Sequence, residues 1–211
     1  MEILKDEAII LKKINVNETN VVITMLTKMY GKINAIVYGV RSSNKREKIS
    51  LNPTSIIDVE VNKKNNDYVL KDYVMKKAYL SIYKNIEKLE LSLYVVYVLN
   101  KIIEYNIEEE KIYSKSVEIL EYIDKLNVEE VQKENFISYM IVIFLRRMMI
   151  ELGIFDKKQL EDKDFVLFNS KYIRDKNINI MDFYPLVKKY EMYINEYLSI
   201  DIDYNQILVR R

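Results

Sequence analysis

Between residues 75 and 78 the spacing of apolar side chains changes from every second residue to every third or fourth. A strand buries alternate residues, whereas a helix buries a stripe at i, i+3, i+4 and i+7. A chain that makes this switch once is therefore constrained to a β unit followed by an α unit, the α+β class.

The strand signals come first. Ala8 to Leu11 is a short apolar run, and Val21 to Leu26 is β-branched and runs into the natural turn at Tyr30-Gly31. Ile33 to Val40 resumes the alternation, so Val21 to Val40 reads as a hairpin. Beyond a polar loop from Arg41 to Ser50, Pro53 opens a strand over Ile56 to Val61. The turn at Lys63 to Asp67 leads into Tyr68 to Tyr73. Five short strands in about 75 residues, joined by tight turns, predict a small barrel or sandwich.

From Ala78 the helical period holds. Ala78, Ile82, Ile86 and Leu89 share a face, as do Leu93, Val96, Leu99 and Ile103, and then Ile112, Val117, Leu120 and Ile123. Asn106 to Glu110 reads as a short polar connection. A longer helix is predicted over Asn135 to Leu152, closed by Gly153. Phe165 to Phe168 and Tyr172-Ile173 read as a small hairpin, and Met181 to Tyr197 as one or two helices. No repeat or low-complexity linker separates the halves, so the boundary near residue 76 is expected to be a packed junction.

Composition excludes several function classes. The chain has no Cys and no His, which removes disulfides, thiolate nucleophiles, Cys/His zinc sites and the commonest general base. Neither GxxxxGK[ST] nor GxGxxG occurs, and no DxDxDG loop is present. Glu108-Glu109-Glu110 and Glu129-Glu130 sit at helix starts, where they complement the dipole. An enzyme is the less favoured class, and no catalytic residue, metal or cofactor is expected. MEILKDEAII lacks the apolar core of a signal peptide. Phe136 to Ile150, the most apolar run, is broken by Ser138 and Arg146-Arg147 and is shorter than the roughly 18 residues of a membrane span, so it reads as a buried helix. No membrane association and a cytoplasmic location are the expectation.

Charge is distributed unevenly. The net charge is only +1, but residues 1–80 carry 14 Lys/Arg against 9 Asp/Glu, and the remainder carries 19 against 23. The N-terminal excess lies between Lys28 and Lys48, where Lys28, Lys32, Arg41, Lys45, Arg46 and Lys48 face Glu47 alone. A basic strand and loop on a small barrel can track a phosphate backbone, with aromatics stacking on bases. Tyr30 and Tyr38 are the nearby aromatics, though hairpin packing accounts for them more readily. Arg146-Arg147 is a second, weaker candidate, for partner binding. Cations of this length snorkel along apolar helices, and Glu151 stands at i+4 from Arg147.

The stretch AIILKKINVNETNVVITMLTKMYGKINAIVYGVRSSNKREKISLNPTSIIDVEV resembles the N-terminal domain of the RecO family of bacterial recombination mediators. Glu18, Thr27, Gly31, Gly39, Arg41, Leu51 and Pro53 fall in the order and spacing of that family's pattern. FLRRMMIELGI resembles the end of a helix in the family's helical domain. The resemblance is strong over residues 1 to about 80, moderate to 155 and weak beyond.

It implies an OB-fold β-barrel over residues 1–76 followed by a mainly helical domain over 77–211. It further implies a non-enzymatic, nucleoid-associated mediator that binds single- and double-stranded DNA and anneals complementary strands. Such a mediator associates with RecR and single-stranded-DNA-binding protein and helps RecA load. Carried over by position, Lys32, Arg41, Lys45, Arg46 and Lys48 are the implied nucleic-acid-binding residues. Many members carry a four-cysteine zinc site near the region that here reads Asp156 to Lys176; lacking Cys, this chain must hold that region by packing alone. The rival reading is an OB-plus-helical protein-interaction adaptor with little direct DNA contact.

Overall fold

The computed structural model describes residues 2–43, 47–65, 67–133, 135–156 and 182–207, except the side chain of Lys64. Its architecture is α+β. Strands β1 (Glu2–Asn15), β2 (Val21–Thr27), β3 (Gly31–Val37), β4 (Ile56–Lys64) and β5 (Asp67–Lys77) close into a barrel of order β1-β2-β3-β5-β4, the OB arrangement.

β1 is longer than its apolar run. Glu2 to Ile9 pairs with β4 and Ala8 to Asn15 pairs with β2, with a register shift between Ile10 and Lys12. One strand thus serves two neighbours, which is how the sheet closes. The polar ends of β1 hide this from an apolar-run search, because only its middle is buried on both faces. Ala8 and Ile10 point into the barrel, whereas Ile9 and Leu11 join Leu26 and Ile56 beneath the helices.

The turn between β2 and β3 explains the Thr27/Gly31 spacing. Thr27 Oγ1 donates to the Gly31 carbonyl at 2.8 Å and accepts from the Tyr30 amide at 3.0 Å. Gly31 has φ +70°, and a Cβ there would lie 1.8 Å from the Ile107 carbonyl oxygen. The Leu51/Pro53 pair has its own role. Leu51 sits fully buried in the barrel cluster, and the Pro53 carbonyl accepts from the Tyr83 hydroxyl.

Helices α1 (Leu80–Lys84), α2 (Ile86–Ile102), α3 (Glu110–Lys125), α4 (Val128–Val131), α5 (Phe136–Glu151) and α6 (Tyr184–Leu198) follow. The Asn85 side chain caps α2 by accepting from the Lys88 amide. At the end of α5, Gly153 N–H donates to the Ile150 carbonyl and Ile154 N–H to Met149, the paired bonds of a Schellman motif. Within the stretch expected to hold one or two helices, Tyr184–Leu198 forms one, with Pro185 in its first turn where no intrahelical N–H is needed. The hairpin expected over Phe165 to Ile173 lies outside the described residues.

One connection is more than a connection. β3 and β5 pair only at Ala35 with Tyr68 and Ile36 with Val69. The free edge of β3 is met by the segment between α2 and α3: Lys32 bridges to Tyr105, Asn106 N–H donates to the Lys32 carbonyl at 3.0 Å, and Tyr68 OH donates to Asn106 Oδ1 at 2.6 Å. Residues 105–107 form a strap sealing the barrel's side. It overlaps the mostly polar run Asn106 to Glu110 and is too short to show a period, so the sequence reads there as a loop.

Candidate nucleic-acid interface

At one mouth of the barrel the β1–β2 turn, the chain leaving β3 and the 3-10 turn at Ile49–Leu51 converge on a notch of about 210 Å³, lined by Lys13, Asn15, Val21, Val40, Arg41 and Lys48. The turn is braced by Asn17, whose Oδ1 accepts from the amides of Thr19 and Asn20, and by Asn20 Oδ1, which accepts from Gly39 N–H. Arg41 N–H donates to the Thr19 carbonyl at 3.0 Å. Two loops are thereby fixed to each other, and their cations are held at the rim.

The cations are linked in sequence through neutral acceptors. Lys13 Nζ donates to the Lys48 carbonyl at 3.3 Å and to Asn52 Oδ1 at 3.2 Å; Lys48 Nζ donates to the Arg41 carbonyl at 2.7 Å; Arg41 donates to the Asn17 carbonyl. Among the described residues none of the three is in an ion pair. Burial pushes the Lys13 ammonium below its usual pKa, and the positive charge of Lys48 pushes it further down. An anion in the notch would relieve this mutual repulsion.

The residues predicted from sequence divide accordingly. Arg41 and Lys48 stand exposed at the notch, while Lys45 and Arg46 lie outside the described residues. Lys32 must be withdrawn from the phosphate-contacting set. It is 4% exposed, its Nζ donates to the Asn100 carbonyl at 2.7 Å, and the same ammonium lies 4.2 Å from the Tyr105 ring centroid. Burial lowers its pKa, partly countered by Glu104. Lys32 is a strut between barrel and strap, because the strap that covers β3 also covers its side chain. Lys13 is the cation that sequence reading missed. It pairs with inward-facing Ile23, so it sits at an inward position of a strand end, and that placement needs the register.

Arg146 and Arg147 part company. Arg147 Nε donates to Glu151 Oε1 at 2.9 Å, the i+4 pair its spacing predicts. It also edges an apolar groove of about 440 Å³ between α2, α3 and α5, floored by Val95, Ile119, Tyr122, Met140 and Ile143. Arg146 is half-buried, with its guanidinium 5.4 Å from the Phe155 ring centroid.

A zinc site built of Cys and His has no donors here, since the chain contains neither residue. Among the described residues no group of three acidic side chains converges as a metal site either.

Residues 1–79 match the family described as "Recombination protein O N terminal". Residues 1–79 are thus similar to the N-terminal domain of the RecO family. Over 129 residues the chain is 30% identical to "DNA repair protein RecO" of Thermoanaerobacter sp. (strain X514), covering 61% of this chain and 52% of that one. It is 29% identical, over the same length and shares, to "DNA repair protein RecO" of Caldanaerobacter subterraneus subsp. tengcongensis. The chain spans about half the length of the curated RecO relatives it matches. No helix among the described residues is long and apolar enough to cross a membrane.

Proposed function

We propose that this protein is a non-enzymatic DNA-binding mediator of repair and recombination, with residues 1–76 as its nucleic-acid-binding part and 77–211 as its partner-binding part. The reading rests chiefly on the notch: three cations gathered at a barrel mouth without ion pairs among the described residues. Like-charged ammonium and guanidinium groups held together favour a polyanion, and backbone neutralisation gives salt-dependent, sequence-tolerant affinity. Arg41, Lys48 and Lys13 contact phosphates in this reading, joined by Lys45 and Arg46 of the same basic stretch. Holding strands by their backbones leaves base edges accessible, which annealing requires. RecR, single-stranded-DNA-binding protein and, indirectly, RecA are the partners the family likeness supports.

Fluorescence anisotropy with a labelled single strand, titrated with salt, tests this. Arg41→Ala with Lys48→Ala should weaken binding and reduce the salt slope by about 0.7 for each phosphate no longer neutralised. Undetectable binding at low salt, or an unchanged slope, sinks the proposal.

A second reading, the protein-interaction adaptor, is favoured by the apolar groove beside Arg147. Lys115 and Arg147 at its edge suit an apolar segment ending in acidic residues, the character of the single-stranded-DNA-binding protein tail. The two readings predict different failures: Arg147→Glu would impair tail binding and leave DNA affinity intact.

A further inference from the structure

At the far end of the β2–β3 hairpin from the notch, the barrel presents a surface of opposite character. There the turn between the two strands lies against the chain running into α3: a Cβ on Gly31 would meet the Ile107 carbonyl, and Lys28 Nζ stands 3.7 Å from Glu110 Oε1. Met29, Tyr30 and Ile107 are left outside by this packing, Met29 49% and Ile107 45% exposed. Residues 104–111, which run past them, carry four glutamates against Lys111 alone. Glu108 to Glu110 suit the start of α3, where acidic groups complement the dipole, but Glu104 precedes the strap. Among the described residues Glu104, Glu108 and Glu109 are in no ion pair, and partial burial pushes the Glu109 carboxyl above its ordinary pKa.

The notch end is the complement of this surface. Lys13, Arg41 and Lys48 are likewise without ion pairs among the described residues, while Val16 in the β1–β2 turn and Ile49 next to Lys48 are each 55% exposed. One end offers apolar side chains among cations, the other apolar side chains among carboxylates. β3 is paired with β2 along its whole length and holds the two ends about 20 Å apart at the rise of a strand. Within one molecule they cannot meet.

We infer that the β2–β3 turn and adjoining strap of one molecule dock on the notch end of a second copy of this chain. Charge complementarity selects that occupant, since this chain carries both halves of the contact and cannot bring them together by itself. Opposed charges steer and register such a contact, and the apolar side chains on both sides supply the burial. The contact stands on these two surfaces; only its consequence for nucleic acid rests on the DNA-contact reading. A notch filled by a neighbour's glutamates is closed to phosphates, so self-association and DNA binding compete. Concentrated protein without DNA is then self-associated, and a polyanion releases it.

Sedimentation velocity of the whole chain over a concentration series tests the contact. At low salt the parent should sediment faster as its concentration rises, and at high salt, where exposed charges are screened, it should run as a monomer. Glu104→Lys with Glu108→Lys should weaken association about tenfold or more, because like charges then face the notch. Met29→Ser with Ile107→Ser changes no charge and should weaken it as well. Both of these variants, when dilute, should bind a labelled single strand as the parent does. Arg41→Glu with Lys48→Glu should not associate alone, but should do so when mixed with the Glu104→Lys, Glu108→Lys variant. A short thymidine oligonucleotide in excess should dissolve the parent's assemblies. Thermal melts establish that each variant is folded, and the exposed glutamate pair gives a readout if the apolar pair does not fold. A parent that stays monomeric at every concentration in low salt, yet binds the oligonucleotide, overturns the contact and leaves the notch reading standing. Association that either strap variant leaves unchanged overturns it too, as does a mixture of the reversed variants that stays monomeric. Association lost in strap and notch variants alike, but not dissolved by the oligonucleotide, upholds the contact and removes phosphate binding from the notch.

Discussion

Lys32 and Gly31 show how much a single position can carry. Lys32 is buried with its ammonium shared between a carbonyl and a tyrosine ring, so Lys32→Ala should cost about 1–3 kcal/mol in a urea melt and leave the salt slope of DNA binding unchanged. The contrast with Arg41→Ala, which should lower the slope, separates a strut from a phosphate contact. Gly31→Ala places a methyl into the Ile107 carbonyl in a backbone conformation L side chains resist; a destabilisation of roughly 4 kcal/mol is expected. At Gly39, where φ is also positive but no atom lies within 4 Å, alanine should cost only about 1–2 kcal/mol. Comparable denaturation midpoints for the two variants would mean that the strap does not dock as described.

At the scale of elements, buried polar groups fasten the last helix to the centre of the helical part. Glu191 on α6 accepts from the Tyr94 hydroxyl of α2 at 2.8 Å, from Tyr204 N–H at 2.6 Å and from Lys188 Nζ at 2.9 Å, while the Tyr204 hydroxyl donates to Glu90 on α2. Burial opposes the charge on Lys188, but its hydrogen bonds to Asp203 and Glu191 prevail and raise its pKa. Glu191→Ala leaves a buried hydroxyl and amide without their acceptor, and should lower stability by about 3 kcal/mol in chemical denaturation. This clasp is not legible in the sequence. The apolar period announces α6, but a glutamate on a helix looks the same whether it faces water or two tyrosines.

For the whole molecule, the coupling of barrel to helices depends on pH. Glu7 on β1 accepts from Tyr113 on α3 at 2.6 Å and pairs with Lys76 on β5. Partial burial works to raise its pKa, yet the hydrogen bonds from Lys76 and Tyr113 outweigh it and hold the carboxyl below its ordinary 4.5. Its folded pKa is the lower of the two states, so its contribution is fully present above 4.5 and is lost as pH falls through the folded value. Melting temperature followed from pH 7 downward should fall in that window, and Glu7→Gln should flatten the fall. In the alkaline direction, Lys13 has a depressed pKa that a bound phosphate would raise. DNA affinity should therefore decline as pH rises through a value below 10.5, and Lys13→Arg should move that decline upward.

Local alternation, turn chemistry and charge are enough to reach the α+β class, four of the five strands within a few residues, the capped end of α5 and the basic stretch that includes Arg41 and Lys48. None of these needs knowledge of distant neighbours. Long-range packing alone settles that β1 runs on through its polar ends to close a barrel, that residues 105–107 seal its side, and that Lys32 lies inside this seal while Lys13 reaches the mouth. Each depends on which residues from remote parts of the chain meet. A lysine's charge is fixed by its chemistry, but whether that charge faces a phosphate or a carbonyl is fixed by what folds over it.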